Sequence, residues 1–337
     1  MFLPYNSCLS IILALLAVSC ASPGGRYEFH RTEMGVPFRI VLYAPSQDAA
    51  ERAAAAAFQR IKQLNDIMTD YDADSELSRL SRTSGQDQAQ PVSPDLWVVL
   101  ERAQALAQSS HGAFDVTVGP YVNLWRFARG QGKLPDPARL GKARLSVGYE
   151  KMKLDAVHRT DKLQAPDMRL DLGGIAKGYA VDQALKSLRR LGLGRALVSG
   201  GGDIAVSGPP PGTKGWRIEL PPLDASNAPP ARFVVVAQAG ISTSGDLFQR
   251  LEINGVRYSH IVDPRTGVGL TDHSLVTVIA PDDFTADGLT KVMSVLNPKD
   301  ALAFIAGRPR AAVRIVRKPA DMVEVYESKK FHKFYER

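Results

Sequence analysis

A chain of 337 residues, 45% hydrophobic and 23% charged, is long enough for one large domain or two closely joined ones, and its composition excludes a disordered or fibrous protein. The formal charge of +7 suits a polyanionic ligand or an anionic membrane surface, but the Lys and Arg residues are scattered and no aromatic-plus-basic module accompanies them, which argues against nucleic acid. Both cysteines, Cys8 and Cys20, fall at the N-terminus, so the remainder carries no disulfide, cysteine nucleophile or zinc–cysteine site.

The chain begins with an apolar run, residues 9–18, too short for a mature membrane span of ~20 residues, followed by small residues and Cys20. Residues 1–19 read as a secretory signal. Ala17-Val18-Ser19-Cys20 resembles a bacterial lipobox, with Ala17 where Leu is usual and no Lys or Arg before the apolar run. Residues 20–26, containing Ser22-Pro23-Gly24-Gly25, read as a tether, and 27–337 as the working domain. A lipid anchor at Cys20 is the expectation, with a soluble exported protein as the alternative.

Within that domain, residues 27–43 read as strands around a turn at Gly35-Val36-Pro37. Helical spacing of Ala50, Ala53, Ala54, Ala57, Phe58, Ile61, Leu64 and Met68 predicts a helix over 47–68. A loop and a short turn, SELSRL, precede a second helix over 94–110. Residues 112–130 look like aromatic-rich loop, 151–155 and 168–172 like short strands, and 175–191 like a third helix stopped by Gly192. Strands are expected at 196–207, 216–220 and 233–238, and a hairpin at 251–258 around Asn254-Gly255. A strand at 275–279, helices at 284–296 and 298–306, and strands at 312–316 and 322–326 complete the chain. The mixed order without a βαβ rhythm gives an α+β class.

Five stretches are too polar and too rich in glycine to be plain scaffold. Asp171-Leu-Gly-Gly-Ile-Ala-Lys177, running on to Asp182, places backbone N–H groups at a helix start beside a lysine, a natural phosphate cradle; the bland reading is a strand-to-helix turn with Asp182 exposed. Ser199-Gly-Gly-Gly-Asp203 implies close backbone approach or a bulge. Ser242-Thr-Ser-Gly-Asp246 precedes Tyr258-Ser-His260-Ile261-Val-Asp263-Pro-Arg-Thr-Gly267, where His260 is either a structural histidine or a general base. Asp282, Asp283, Asp287 and Thr290 offer hard oxygens near a helix start, for Mg²⁺ or for capping. Ala113-Phe114-Asp115, with Leu124-Trp125-Arg126-Phe127, forms either the wall of a planar ligand or a core corner.

Singly these signals are weak; their order is specific. EMG at 33–35, YDADSELSRL at 71–80, FDVTVGP, DLGGIAKGYAVD, VSGGGD, STSGD, HIVDPRTG and VTVIAPDDFTADGLT run through most of the chain, and this series resembles the ApbE family of FAD:protein FMN transferases. The resemblance implies two closely joined mixed α/β parts with FAD and Mg²⁺ between them. It also implies transfer of FMN from FAD to a Thr or Ser hydroxyl of a target flavoprotein, such as a subunit of a membrane redox pump, with release of AMP. Met34, Tyr71, Ala113, Phe114 and Asp115 would then line the flavin nucleotide. Asp171 and Lys177 would hold the adenosine diphosphate part, and Ile261 would pack on the ligand. Gly174, Asp287 and Thr290 would bind the metal, and His260 would be the base, with Asp287 also essential for catalysis. The implied location is the periplasmic face of the inner membrane.

Two departures stand out. The family often has Thr four residues after the metal-binding Asp; here that position is Lys291, with Thr290 one residue earlier. Ser81 stands where Asn often follows SELSRL. They keep two alternatives open: an FAD pyrophosphatase, with water in place of the protein hydroxyl, and a non-catalytic periplasmic FAD-binding lipoprotein.

Overall fold

The computed structural model describes residues 24–224, 231–245, 250–319 and 322–336. The chain opens on a hairpin, β1 (Gly25–Glu33) and β2 (Val36–Ala44), in register from Gly25↔Ala44 to Glu33↔Val36. Its turn is Met34-Gly35, both at positive φ (49° and 73°), the backbone that matches strand twist in two-residue hairpins; it lies one residue earlier than the sequence suggested. Helix α1 (Gln47–Met68) is capped by Ser46 and buries the eight residues of the expected stripe. Then follow α2 (Glu76–Ser81), β3 (Gln90–Pro91), α3 (Pro94–Ser109), α4 (Gly119–Gln131), α5 (Pro137–Arg144), β4 (Met152–Asp155), β5 (Thr160–Leu163) and α6 (Ala176–Arg190). The second half holds β6 (Ala196–Gly200), β7 (Asp203–Val206), β8 (Trp216–Leu220), β9 (Arg232–Val236), β10 (Ala239–Gly245), β11 (Arg250–Ile253), β12 (Val256–Ser259) and β13 (Ser274–Ala280). It ends with α7 (Asp283–Val295), α8 (Pro298–Ala306), β14 (Ala312–Arg317) and β15 (Glu324–Glu327).

Eight strands form one sheet in the order β1-β2-β6-β7-β10-β13-β14-β15, and each neighbouring pair is antiparallel. Successive residues of a strand face opposite sides, and here both sides are covered. Ile40, Leu42, Val198, Ala205, Val278 and Val313 point into a core shared with α1, α6 and α7. Their neighbours Val41, Leu197, Val206, Ile279 and Ala312 pack instead with Trp216, Ile218, Val234 and Val236 of the β8–β9 hairpin and with Phe331. A third cluster joins Tyr121 and Trp125 of α4 to Leu251 and Val262 around the β11–β12 hairpin. The α+β class stands. Among the described residues no helix is long and apolar enough to cross a membrane.

Four sequence expectations change. Residues 168–172 form an extended segment with one bridge, Arg169 to Val118, rather than a strand. The loop expected at 112–130 contains α4, because Gly119-Pro120 starts a helix rather than breaking one: Pro is tolerated in the first turn, and a Cβ at 119 would lie 2.5 Å from the Arg169 carbonyl oxygen. The strand expected over 196–207 is a hairpin, turning at Gly201 and Gly202 (φ 62° and 98°). Residues 239–245, including Ser242-Thr-Ser-Gly, form a central strand. The expected signal, residues 1–19, and most of the tether lie outside the described residues; the tether's Gly25 and Arg26 belong to β1.

Candidate active site

The extended segment 168–172 is fixed through its backbone before it reaches α6. Leu170 N–H donates to Ser81 Oγ at 3.1 Å, and Asp171 N–H donates to the Val116 carbonyl at 2.8 Å. The Asp171 carboxylate then organises the glycine turn, accepting Gly173 N–H at 2.8 Å and Arg126 Nη2–H at 2.9 Å. Arg126, from α4, also pairs with Asp70 and lies 4.4 Å above the ring of Tyr71, which is 80% exposed. Burial raises the Asp171 pKa, Asp70 adds to the rise and Arg126 opposes it.

On the other side of the turn, Lys177 Nζ donates to the Gly173 carbonyl at 3.1 Å and pairs with Asp203 Oδ2 at 3.3 Å. Burial works against its charge, but Asp203 and Asp287 outweigh it and hold the ammonium well above its ordinary pKa. Asp203 follows the Gly201-Gly202 turn, and a Cβ at 201 would lie 3.3 Å from Lys177 Cε and 3.2 Å from Val36 Cγ2. This contact brings the turn containing Met34 close to Lys177. Strand register sets Ser242 opposite Asp203, and Ser242 Oγ–H donates to Asp203 Oδ1 at 2.6 Å.

Helix α7 supplies the third part. Asp287 is fully buried and accepts Gly178 N–H on Oδ2 at 3.1 Å and the Lys291 ammonium on Oδ1 at 2.7 Å. The same ammonium donates to Thr290 Oγ1 at 3.0 Å, whose hydroxyl donates to the Asp287 carbonyl at 2.7 Å. Burial alone would raise the Asp287 pKa; Lys291 and Lys177 pull it below the ordinary carboxylate value. A Cβ at Gly174 would lie 3.1 Å from Lys291 Cγ and 3.4 Å from Phe114 Cε2. Thus Phe114, Gly174, Lys177, Asp203, Asp287, Thr290 and Lys291 share one place.

The remaining acids have other tasks. Asp282 caps α7 through Thr285 N–H at 2.8 Å and Thr285 Oγ1–H at 2.6 Å. Asp182 is not on an exposed face: it reaches from α6 to accept the N–H groups of Asp283 at 3.1 Å and Phe284 at 2.9 Å. Asp283 is fully buried, and its pKa is raised well above the usual value by burial and by Asp203, Asp182 and Asp287. Asp115 turns to Thr117, accepting its N–H at 2.8 Å and its hydroxyl at 2.7 Å, and burial pushes its pKa up to about 6; Ala113 beside it is buried. Trp125 is a core corner, its ring tilted against that of Tyr258 at 5.3 Å and its Nε1–H donating to the Gly267 carbonyl at 2.8 Å.

His260 and Ile261 are half-buried between β12 and the turn at residues 263–267. Ile261 N–H donates to Ser259 Oγ at 3.1 Å, and the Ile261 carbonyl accepts Leu270 N–H at 2.8 Å. The Trp125–Tyr258 ring contact seats this arm on α4, the helix that also carries Arg126. Asp246 lies outside the described residues. Sequence reasoning passed over Arg126 and Asp203 as site members. Asp203 stood in view after three glycines and Arg126 within the aromatic stretch 124–127, but neither pattern gave the residue a role of its own. A cleft of about 370 Å³ lined by residues including Arg102, Tyr179, Asp182, Lys186 and Phe284 shares α6 and α7 but contains none of Lys177, Asp203, Asp287 or Lys291.

Two partly buried ammonium groups beside a glycine turn at a helix start, on a mostly antiparallel α+β scaffold, are the kind of setting in which proteins hold phosphate groups. The chain belongs to the ApbE family, whose profile matches residues 34–315. It is 32% identical over 322 residues to the FAD:protein FMN transferase of Haemophilus influenzae, covering 92% of each chain. It is 31% identical over 335 residues to that of Vibrio cholerae, covering 98% of each. Its fold is similar to the solved flavin transferase ApbE from Vibrio cholerae, with TM-score 0.82, 29% identity, and 92% of this chain and 100% of that one covered. The ApbE protein of Thermotoga maritima is similar too, with TM-score 0.82, 26% identity, and 93% and 100% covered.

Proposed function

We propose that this chain transfers the FMN moiety of FAD to a Thr or Ser hydroxyl of a target flavoprotein and releases AMP. The observation that carries this reading is the convergence of Lys177 and Lys291 on Asp203 and Asp287 at the Gly173-Gly174 turn, within a family whose curated relatives bear that activity in their names. The diphosphate of FAD binds over the turn, where the helix start and Lys177 offset its charge. Asp171 and Arg126 hold the turn in shape, and Tyr71, Phe114, Met34 and Ile261 lie against the nucleotide. The acceptor oxygen bonds to the FMN-side phosphorus, the bond from that phosphorus to the bridging oxygen breaks, and AMP takes the bond's electron pair. His260 receives the acceptor's proton. In-line transfer of this kind relies on position and charge rather than covalent chemistry by the protein.

Mg²⁺ commonly takes one or two carboxylates together with substrate phosphates. The oxygen donors fit: Asp287, the Thr290 hydroxyl and the Gly174 carbonyl would hold Mg²⁺ once the Lys291 ammonium moves off Asp287. Bound there, the ion would neutralise charge on the diphosphate. Incubating protein, FAD and Mg²⁺ with and without an acceptor domain tests the function. AMP release that requires the acceptor, with covalent flavin fluorescence on it, is the expected result. Release without acceptor supports a pyrophosphatase instead, and FAD binding without AMP supports a carrier. We propose also that the chain is exported and held at the membrane through lipidated Cys20.

A further inference from the structure

We propose that Lys291 is a tethered cation occupying the position a divalent metal would take, so that metal reaches Asp287 only by displacing it. The inference rests on the reading of Asp287 and Thr290 as metal ligands. Both oxygens offered to the ion are the ones already engaged: Lys291 Nζ lies 2.7 Å from Asp287 Oδ1 and 3.0 Å from Thr290 Oγ1. The third donor's residue is in the same contact, since a Cβ on Gly174 would meet Lys291 Cγ at 3.1 Å. Helix geometry enforces the arrangement, because residues four apart lie on one face. The pair is shielded, the Lys291 side chain being 17% exposed and that of Asp287 0%. Asp203 has its own partner in Lys177 at 3.3 Å. Each of these two carboxylates is therefore compensated by an ammonium before any ion arrives.

A divalent cation approaching Asp287 meets a like charge at contact distance in a shielded place, where repulsion is strong. The ammonium must swing away, and the acceptor it needs is supplied by an anionic phosphate oxygen of the substrate. Metal and nucleotide consequently bind with positive coupling, each strengthening the other by the same factor. Free enzyme holds metal weakly; enzyme with diphosphate holds it well.

The test is Mn²⁺ binding, followed by electron paramagnetic resonance, on nucleotide-free protein. Lys291→Met should bind Mn²⁺ at least ~10-fold more tightly than wild type, a modest share of what a unit charge at contact exerts. Lys291→Gln, which keeps the stem and a polar tip, should do so as well and serves if the Met variant does not fold. Lys142→Met, an exposed lysine on α5, should leave affinity within about twofold, since distant charges are screened. Adding Asp287→Asn to Lys291→Met should abolish the gain. Equal affinity in wild type and in folded Lys291 variants overturns the proposal, as does a gain that survives without Asp287. Wild-type FAD binding, measured separately by flavin fluorescence, bears on the function itself: its absence sinks the transferase reading, while the metal titrations sink only the role of Lys291.

Discussion

The backbone N–H of Gly178 donates to Asp287 Oδ2 across 3.1 Å, so the first turn of α6 directly positions the carboxylate of α7. No side chain fits between them: a Cβ at 178 would lie 2.4 Å from the Asp283 carbonyl oxygen and 2.7 Å from Asp287 Cβ. Gly178→Ala should therefore push the helices apart, costing about 1–3 kcal/mol as overpacking does. Both melting temperature and AMP release should fall. A variant that keeps both would show that α6 and α7 are free to separate here.

Removing the carboxylate itself should affect turnover more than binding. Asp287→Ala leaves Lys177 and the glycine turn to hold the diphosphate, but no acid to hold a metal against it. AMP release should drop by orders of magnitude, with FAD affinity changed much less. Near-full Mg²⁺-dependent activity in this variant would refute the metal assignment.

For His260, substitution by Gln should slow FMN transfer by ~10²–10⁴-fold, the usual contribution of a positioned base, while FAD still binds. Transfer rate, FAD affinity and melting temperature need to be measured on the same protein. If binding and melting temperature fall together with rate, the histidine merely supports the turn at residues 263–267.

A pH effect on stability should come from Asp161, far from this chemistry on β5. It is fully buried, and burial pushes its pKa up to about 7 from an ordinary 3.8. Folding thus favours its protonated form: the contribution to stability is whole below the unfolded pKa and is lost as pH rises toward about 7. Asp161→Asn should flatten the decline between about pH 4 and 7 and raise the melting temperature at pH 8. Thermal denaturation across that range in both proteins is the check, and identical slopes would contradict it.

Cys20→Ala tests the anchor. The expected outcome is release of the protein from the membrane fraction into the soluble fraction, because two or more acyl chains, not one, hold a protein stably. Unchanged fractionation would mean that this cysteine carries no lipid.

What the sequence made legible follows from where chemistry and periodicity coincide. Helix α1 was readable because its apolar stripe faces one core, and the β11–β12 hairpin because Asn254 and Gly255 both adopt positive φ (51° and 74°). Strand β10 was not readable as a strand, since AGISTSG lacks the apolar alternation. The reason is packing: a Cβ on Gly240 would lie 2.1 Å from Asp283 N, so the strand is small where α7 crosses it. The glycine turn and Lys177 were apparent as a phosphate cradle from local pattern alone. Asp203 and Arg126 were not, because their partners Lys177 and Asp171 are distant in sequence and meet them only through strand register and helix α4. In the stretch with Asp115, open from the residues to either a ligand wall or a core corner, the carboxylate serves Thr117 two residues on.

The strand order of the main sheet governs how the chain can be made. Hairpin β1–β2 is made before the rest of the main sheet, but its inner edge pairs with β6, Leu42 opposite Ala196, and β7 then waits for β10. Long loops must close before these pairings reward it, which slows folding. Until Ala196 arrives, β2 is itself an apolar strand with an open edge, an arrangement exposed to wrong partners. The nascent chain thus depends on being kept unpaired until more than half of it is available.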